Sequence, residues 1–405
     1  MKINVYSEIG KLNSVLLHRP GKELENLTPD ILERLLFDDI PYLKVAQEEH
    51  DAFAKVLTDN GVEVLYIKDM VIEALENHPE VIPNFVNQFI EESQVPSSSV
   101  KTELYKYIIQ LSPYDLVTKV IEGIRTNEFH IENRISIIDM LEDEYPFYTD
   151  PMPNILFQRD PFASIGDGLA INNMSTDARQ RETILSEYMF KYHPRFENEN
   201  IPLYKKRTTR YKSEGGDMLV LNEETLAIGI SKRTDPRAIE SLARSLFKAE
   251  TSFKTILAFN IPKTRAFMHL DTVFTQIDYG TFTIHPGIMK ELTIFEVEKN
   301  GGGEIKVSKV VTTLETILEK HLKRPIKLIN CGGTDMITSG REQWNDGANT
   351  LAIAPGVAVV YERNHVTNEM LRQEGIKVLE IPSSELSRGR GGPRCMSMPL
   401  DRDKI

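Results

Sequence analysis

The sequence predicts an α/β fold, a five-fold pseudosymmetric ring of about five ββαβ-like units, with a small helical domain inserted into it. Three observations lead to this prediction. A pattern of strand, turn and amphipathic helix recurs weakly along the chain. An acidic residue in a tight turn recurs at a similar interval. One stretch, from about Val71 to Tyr148, has helical patterning and no convincing strand.

The clearest copy of the repeat is LAIGISKRTDPRAIESLARSLFKA, which begins at Leu226. Its first five residues are typical of a buried strand, and Asp235 and Pro236 suit a helix N-cap and first helical position. A buried stripe at helical spacing follows, formed by Ile239, Leu242, Ala243, Leu246 and Phe247. The same plan begins at Ser14, Leu169 and Val357, while a fifth copy starts at Thr281 with its helix displaced to about Leu314 to Leu322.

Acidic residues in tight turns recur at about the same interval as this repeat. They are separated by 57, 54 and 64 residues and comprise Asp160 in QRDP, Asp217 in EGGD, Asp271 in HLDT and Asp335 in GGTD. About the same interval further on lies Cys395, in RGRGGPRCMSMPL. We expect the C-terminal segment to close the ring against the N-terminal hairpin, which would bring residues of equal phase together at the axis. Cys395 therefore holds a position that acids hold in the other units.

The predicted helical insertion, residues 71–148, divides the ring domain into residues 1–70 and 149–405. In SPYDLVTKVIEGI, Ser112 suits an N-cap, Pro113 the first helical position and Asp115 a capping-box-like spacing. One apolar face follows, formed by Leu116, Val117, Val120, Ile121 and Ile124. The PSSS stretch, residues 96–99, predicts a break between two helices.

Composition excludes several classes of protein. The 405 residues carry a net charge of −12, which disfavours binding to nucleic acid or to anionic membranes. The N-terminus lacks the basic and apolar regions of a signal peptide, and no run of about 18 apolar residues predicts a transmembrane helix. Two cysteines make no disulfide framework, so we expect a cytoplasmic protein with free thiols.

The two cysteines have different surroundings. Cys331 follows an apolar strand in KLINCGG, the usual setting of a small buried residue. Cys395 is flanked instead by Arg390, Arg394 and a Gly-Gly-Pro turn. Because nearby positive charge lowers the pKa of a thiol and favours the thiolate, we interpret Cys395 as a candidate nucleophile. The alternative is that Cys395 is also only a small buried residue.

One histidine has an acid beside it in an otherwise apolar stretch. His269 and Asp271, in AFMHLDTVF, lie two apart on a predicted strand, so both side chains would point to one face. Asp271 could orient the imidazole, or both groups could face one ligand. A satisfied core histidine is the alternative. No His or Cys cluster at metal-ligand spacing accompanies them, so we predict no metal.

Two further turns carry acids that could act chemically or only shape the backbone. Asp160 lies in NILFQRDP, and Glu214 and Asp217 lie in SEGGDM. Asp and Gly are common in turns for local reasons. However, Glu214 stands directly before two glycines, which let the backbone approach a ligand closely. No phosphate-binding glycine motif is present, so nucleotide binding is not predicted.

These candidates, with Arg179, Arg233 and Arg390, suggest one chemistry. Carboxylates would clamp a planar cation that offers several N–H donors. A thiolate could attack its central carbon, and a histidine could protonate the leaving amine and then activate water. Arginines would suit a carboxylate at the other end of the ligand. A free amino acid with a guanidinium side chain has both ends.

Seven motifs make the chain resemble the arginine deiminases of the guanidine-modifying, or pentein, superfamily over essentially its whole length. In order, they are NILFQRDP, ARQRET, SEGGDM, SKRTD, MHLDTVF, QWNDGANTL and RGRGGPRCMSMPL. The resemblance implies a five-fold α/β propeller with the inserted helical domain. It also implies hydrolysis of L-arginine to L-citrulline and ammonia, the first step of arginine catabolism by the deiminase pathway, without metal or organic cofactor. A homo-oligomer, a dimer or larger, is expected for the family.

The resemblance also implies roles for the reactive residues. Cys395 would be the nucleophile and would form an amidino-cysteine intermediate. His269 would be the general acid and base. Asp160 and Asp271 would hold the guanidinium. Glu214 would replace Asp271 as the partner that positions His269.

Other matching positions would bind the rest of the substrate. Asn154, Arg179 and Arg233 would bind its α-carboxylate end, and Arg390 would reach the substrate or gate the site. The neighbours Arg388 and Arg394 are expected to be solvated or structural. Where the family often has a second cysteine, this sequence has Ser397, which leaves the role of the nucleophile unchanged.

Three alternatives share part of this pattern. An agmatine deiminase would not need a carboxylate clamp, so Arg179 and Arg233 argue against it. An amidinotransferase would use the same reactive residues but pass the amidino group to an amine. A non-enzymatic arginine-binding protein would have no need of the complete set of thiol, histidine and acids.

Overall fold

The fold is described from a computed structural model for residues 1–95, 97–129, 145–301 and 304–405. It is a mixed α/β fold. The helices of at least eight residues are Leu43–Asp59, Ile67–Asn77, Ile82–Glu92, Ser98–Ile108, Pro113–Glu122, Glu182–Tyr192, Pro236–Lys248, Leu314–Leu322, Met336–Trp344 and His365–Gln373. Among the described helices, none combines the length and the hydropathy needed to cross a membrane.

Nineteen short strands are described. In chain order they are β1 (Leu12–Leu17), β2 (Glu63–Tyr66), β3 (Ile124–Arg125), β4 (Phe147–Thr149), β5 (Phe162–Ile165), β6 (Gly168–Ile171), β7 (Leu203–Lys205), β8 (Met218–Asn222), β9 (Thr225–Ile230), β10 (Thr255–Asn260), β11 (Phe274–Asp278), β12 (Thr281–Ile284), β13 (Thr293–Lys299), β14 (Ile305–Lys309), β15 (Lys327–Asn330), β16 (Leu351–Ala354), β17 (Val357–Tyr361), β18 (Lys377–Ile381) and β19 (Met398–Arg402).

Five sheets of the described chain share one plan, in which a central strand pairs antiparallel with one neighbour and parallel with the other. In order within each sheet, these strands are β19-β1-β2, β5-β6-β7, β8-β9-β10, β11-β12-β15 and β16-β17-β18. In the sheet of β8, β9 and β10, strands β13 and β14 extend the edge beyond β10. The central strands are the five strands that the sequence repeat predicted, so those predictions are confirmed.

The two ends of the chain meet in one of these sheets. β19 pairs antiparallel with β1, and Leu16 lies opposite Met398 in the register. Backbone hydrogen bonds between the ends continue this pairing, because Asn4 N donates to Leu400 O. Cys395 lies three residues before β19. The sheet therefore fixes the segment that carries the thiol.

The helix Pro236–Lys248 shows how sequence pattern sets packing. The Asp235 carboxylate accepts a hydrogen bond from Arg237 N at 2.8 Å, which satisfies a free donor at the helix start. The predicted stripe is buried and comprises Ile239, Leu242, Ala243, Leu246 and Phe247. Each large apolar side chain buried in this way contributes about 1.5–3 kcal/mol of transfer free energy. The predicted helix Leu314–Leu322 is confirmed as well.

Residues 71–148 are largely helical where they are described, with two differences from prediction. The helix Ile67–Asn77 spans the predicted boundary at residue 70. In addition, β3 and β4 pair antiparallel, so the region is not free of strands. β3 directly follows the helix Pro113–Glu122 and runs beside β4, and pairing of the two strands satisfies their backbone polar groups. Residues 130–144, and residue 96 of the predicted helix break, lie outside the described residues.

The predicted helix N-cap at Ser112 is confirmed. The prediction that Asp335 holds the same position in its repeat unit as the other turn acids is wrong. Ser112 Oγ accepts from Asp115 N at 3.1 Å. Asp335 is exposed and caps the helix Met336–Trp344, with its carboxylate accepting from Thr338 N at 2.7 Å. The helix separates Asp335 from the hairpin that begins at β16, so this acid does not hold the position of the other turn acids.

Candidate active site

Tight 3₁₀ turns present the predicted acid and histidine. Glu214 directly precedes the turn Gly215–Asp217, and His269 directly precedes the turn Leu270–Thr272. Glycine is required where the turns meet. A Cβ atom at Gly216 would lie 2.7 Å from His269 Nδ1 and 2.8 Å from a carboxylate oxygen of Asp160. The Gly-Gly pair therefore lets three reactive side chains approach one another.

The segment that carries His269 and Asp271 is not a strand as predicted. His269 has extended backbone angles, but Asp271 lies inside the 3₁₀ turn, so the two side chains do not share one strand face. His269 contacts Glu214, whereas Asp271 contacts Cys395. The turn thus directs His269 and Asp271 to different partners.

His269 is a buried histidine paired with two acids. Its Nε2 lies 2.7 Å from Glu214 Oε2, and its Nδ1 lies 3.7 Å from Asp160 Oδ1. Burial alone would lower the pKa of His269, but Asp160 and Glu214 outweigh it and raise the pKa to about 9. His269 therefore carries a proton at neutral pH and can act as an acid.

Glu214 is held as a carboxylate. Burial opposes its ionisation, but Arg233 and His269 together hold the pKa of Glu214 well below its ordinary value. Ser175 donates to the same carboxylate through its backbone N at 3.0 Å and its hydroxyl at 2.6 Å. The partner of His269 is therefore charged and fixed in position.

Cys395 is buried against Asp271. Its Sγ lies 3.5 Å from Asp271 Oδ2, and its backbone N donates to Asn349 Oδ1 at 3.0 Å. Burial, reinforced by the charges of Asp271 and Asp160, raises the pKa of the thiol well above its ordinary value. Burial and these acids therefore outweigh the positive charge of Arg394, which favours the thiolate.

The guanidinium of Arg394 is paired with two buried acids, Glu8 and Asp271. It is 1% exposed, with Nε 3.0 Å from Glu8 Oε2 and Nη1 2.7 Å from Asp271 Oδ2. Its Nη2 donates to Met218 O at 2.8 Å. Of the two expectations for Arg394, solvated or structural, the structure supports the second. Arg388 is partly exposed, and its Nε lies 3.0 Å from Glu385 Oε2.

The residues predicted to bind the substrate carboxylate contact acids and backbone in the cluster. Arg179 Nη1 lies 2.7 Å from Asp160 Oδ2, and Arg179 Nη2 donates to Asn154 O at 3.2 Å. Arg233 Nη1 lies 3.3 Å from Glu214 Oε2. The side-chain amide of Asn154 donates to Leu35 O at 2.5 Å. These three residues therefore adjoin the reactive cluster, with their cations neutralising its acids.

Arg390 lies apart from this cluster. Its guanidinium stacks on the Trp344 ring, with Cζ 3.5 Å from the ring centroid. Its Nη1 lies 3.6 Å from Asp38 Oδ2. The structure thus brings the thiol, the histidine, three acids and three arginines together, with Arg394 as the third arginine, whereas Arg390 lies apart from them.

One group of donors could also hold a metal ion. Single ligand atoms of Asp160, Glu214 and His269 all lie within 4.8 Å of one another. However, Arg179 and Arg233 already contact these carboxylates. A protonated histidine is also a poor ligand. The donor set therefore suits a guanidinium better than a metal.

Several residues support the site although no role in it was predicted for them. Asp217 holds the His269 turn by accepting from Leu270 N at 2.9 Å. Asn349 bridges the site, accepting from Cys395 N and donating to Asp271 O at 3.0 Å. Asn349 lies in the motif QWNDGANTL, whereas Glu8 stands in an unremarked N-terminal turn. Only their long-range contacts reveal them.

Comparisons with solved structures define the class of fold. SxtG, an amidinotransferase from Microseira wollei, matches with a TM-score of 0.54 at 14% identity, covering 100% of this chain and 98% of that one. DDAH from Pseudomonas aeruginosa, complexed with citrulline, matches with a TM-score of 0.51 at 14% identity, covering 96% and 99%. At this identity the likeness shows the fold alone, which this chain shares with these two proteins.

Sequence comparisons give the family. The family model described as arginine deiminase matches residues 33–402. An arginine deiminase from Clostridium perfringens is 56% identical over 407 residues, covering 100% of this chain and 98% of the relative. Another, from Borrelia duttonii, is 54% identical over 404 residues with the same coverage. The chain belongs to the arginine deiminase family.

Proposed function

We propose that this chain hydrolyses L-arginine to L-citrulline and ammonia through a covalent amidino-cysteine intermediate. One observation carries the proposal: the guanidinium of Arg179 contacts Asp160 at 2.7 Å inside a buried site that also holds a thiol and a protonated histidine. The acids of this site thus already bind the functional group that the reaction requires. Relatives named arginine deiminase, 51–56% identical over the whole chain, support arginine as the substrate.

The site has acceptors for the substrate guanidinium. Asp271 Oδ1 is buried and accepts no hydrogen bond from the described part of the chain. An unpaired buried carboxylate oxygen is costly, so a donor from the substrate would stabilise it. Asp160 becomes available when Arg179 exchanges places with the incoming guanidinium. Arg179 would then join Arg233 and Asn154 around the α-carboxylate.

In the first half of the proposed reaction, the substrate cation neutralises the acids that keep the thiol protonated. Cys395 passes its proton to Asp271 Oδ2, the acceptor 3.5 Å away, and Sγ bonds to the guanidinium carbon. His269 gives its proton to one amino group of the tetrahedral adduct, and the C–N bond breaks to release ammonia. The product of this half is the amidino-cysteine cation.

In the second half, neutral His269 accepts a proton from water as the water oxygen bonds to the amidino carbon. Glu214 stabilises the imidazolium that forms again. The C–S bond then breaks as the carbonyl of citrulline forms, and the thiolate recovers the proton held on Asp271. The hydroxyl proton of this second adduct passes to solvent, where the ammonia released in the first half takes it up as ammonium. No metal or organic cofactor takes part in this scheme.

The finer architecture belongs to the same proposal. We place the five similar sheets around a pseudo-five-fold propeller formed by residues 1–70 and 149–405, with residues 71–148 as an inserted helical domain. The pairing of β19 with β1 supports closure of the ring. We further propose that the protein is cytoplasmic and forms a homo-oligomer, a dimer or larger, as expected for the family.

A product assay tests the proposed function. With L-arginine as the sole substrate, we expect citrulline and ammonia in equal amounts, and we expect none from Cys395→Ser. The main rival is an amidinotransferase, whose superfamily fold this chain shares. Transfer of the amidino group to glycine or another added amine, without citrulline, would overturn the proposal.

A further inference from the structure

Asp346 is a buried acid to which the proposed reaction assigns no role. It is 2% exposed, and neither carboxylate oxygen accepts a hydrogen bond from the described part of the chain. Its φ of 59° places a non-glycine residue in the left-handed region, so the turn is held there by its surroundings. The turn also carries Asn349, whose backbone N donates to Asp346 O at 2.9 Å and whose side chain contacts Cys395.

Arg390 is a buried cation whose donors, like the acceptors of Asp346, lack hydrogen-bond partners in the described part of the chain. Its Nε and Nη1 are buried and make no hydrogen bond within the described chain. The guanidinium rests on the Trp344 ring and lies 3.6 Å from Asp38. No hydrogen bond joins Arg390 to Asp346. However, Asp346 lies two residues after Trp344, on which the guanidinium stacks, and the two buried charges attract each other. Each group therefore lowers the cost of burying the other.

We propose that Asp346 is a positioning residue for Arg390: its carboxylate retains the guanidinium on Trp344 in the free protein, and Asp346 takes up a proton when Arg390 moves to a bound substrate. An unpaired carboxylate is strongly disfavoured in a buried site, so it becomes protonated when its counter-charge leaves. Conversely, an ionised Asp346 attracts the Arg390 guanidinium and opposes its movement to the substrate.

The surroundings of Asp346 make this exchange accessible near neutral pH. Burial raises its pKa to about 7, although Arg390 opposes the shift. The ionisable groups that interact electrostatically with Asp346 are Arg390, Asp271, Arg363, Asp38, Tyr361 and Cys395. Burial raises the pKa of Tyr361 and of Cys395 well above their ordinary values, so neither titrates near neutral pH. Arginine side chains stay charged there.

The protonation state of Asp346 sets the direction in which substrate affinity changes with pH. Below about pH 7 Asp346 is neutral and Arg390 is free to move, whereas above it the carboxylate retains Arg390. Substrate affinity should therefore fall as pH rises through this range. This part of the inference rests on the proposed function, because it needs Arg390 to meet the substrate. The coupling of Asp346 to Arg390 does not depend on it.

Trp344 is the single tryptophan of the chain, so its fluorescence reports the position of Arg390 directly. The measurement is a pH titration of tryptophan emission in Cys395→Ala, which removes turnover and the thiol. We expect one transition with its midpoint near pH 7. It should disappear in Cys395→Ala/Asp346→Asn and in Cys395→Ala/Arg390→Ala. Asp38→Asn is the matched control, and it should retain the transition because Asp346 remains.

Persistence of the transition in either Asp346→Asn or Arg390→Ala would overturn the proposal. If Asp346→Asn does not fold, Arg390→Ala alone decides, since that variant keeps Asp346. Titration of L-arginine into Cys395→Ala supplies the second readout. Affinity should weaken about tenfold between about pH 6 and pH 9, as expected for about one pKa unit of coupling, and should stay constant with Asp346→Asn.

The two proposals fail separately. If L-arginine does not bind at all while the emission transition is present and depends on Asp346, the proposed function is contradicted and the coupling stands. If L-arginine binds with the same pH dependence whether or not Asp346 is substituted, the positioning role is contradicted and the proposed function stands.

Discussion

Arg179 places its Nη1 2.7 Å from Asp160 Oδ2, and both side chains are buried. The Arg179 guanidinium is thus paired with Asp160, the acid that we propose binds the guanidinium of the substrate. Glu182 fixes the other edge of Arg179, accepting from its Nε at 3.0 Å. Substrate binding would therefore exchange one guanidinium for another at Asp160, so the buried carboxylate never lacks a partner.

The first prediction concerns Arg179→Lys. Lysine keeps the charge among Asp160 and Glu182 but loses the paired donors that suit a carboxylate. Loss of charge-assisted hydrogen bonds costs about 1.5–3 kcal/mol, so KM for arginine should rise about tenfold to a hundredfold, with a smaller change in kcat. Steady-state kinetics check this. Arg237→Lys, on the surface beside Asp235, is the control and should leave both constants unchanged. An unchanged KM in Arg179→Lys would contradict the carboxylate role.

The second prediction concerns the pH profile of Glu214→Gln. Glu214 and Asp160 raise the pKa of His269 to about 9, and activity requires the protonated form for ammonia release. Removing one nearby opposite charge lowers a pKa by about 1–3 units, so the alkaline limb of kcat should move to lower pH by at least about one unit. Glu240→Gln, a partly exposed surface change, should not move it. A limb that stays in place would show that another group controls it.

The third prediction tests the close approach of the two turns. In Gly216→Ala the new methyl group would lie 2.7 Å from His269 Nδ1, so the histidine must shift. Because small misplacements of reacting groups are costly, kcat should fall about a hundredfold. Gly340→Ala is the matched control, since its methyl group meets nothing within 4 Å. That variant should keep full activity and gain about 0.5–1 kcal/mol of stability from the helix. Equal activity in both variants would contradict the geometry.

The fourth prediction concerns the charge state of Cys395. Burial and the neighbouring acids hold its pKa well above the ordinary value in the free protein. Thiolate absorbance in a Cys331→Ala background should therefore be absent at neutral pH. When an unreactive cationic analogue of arginine neutralises the acids, the thiolate absorbance should appear at a lower pH than it does in the free protein. Cys331 itself would not interfere at neutral pH, because burial raises its pKa to about 12. Thiolate in the free protein at neutral pH would contradict this account.

Much of the strand plan could be predicted from sequence because local patterns encode it. The capped helix Pro236–Lys248 and the five central strands carry their own apolar periodicity. Asp335 misled the prediction, because an acid that caps a helix looks the same in sequence as an acid in a catalytic turn. His269 and Asp271 misled it too, because an apolar 3₁₀ turn resembles a short strand.

The site was predictable only in its residue types and not in its electrostatics. Cys395 was found through its unusual flanks, but the pKa of the thiol depends on Asp271 and Asp160, which are distant in sequence. The positive charge of Arg394 is directed to Glu8, nearly the whole chain away. Such pairings depend on the closure of the fold, and no local pattern records them.

Mass spectrometry of the protein quenched during turnover of L-arginine tests the central claim most directly. We predict a mass increase equal to that of L-arginine minus ammonia, located on the peptide that contains Cys395 and absent from Cys395→Ser. Slowing the second half-reaction should increase the adduct, because His269 must activate water to remove it. Full citrulline production with no adduct on Cys395 at any quench time, or undiminished turnover in Cys395→Ser, would contradict the account.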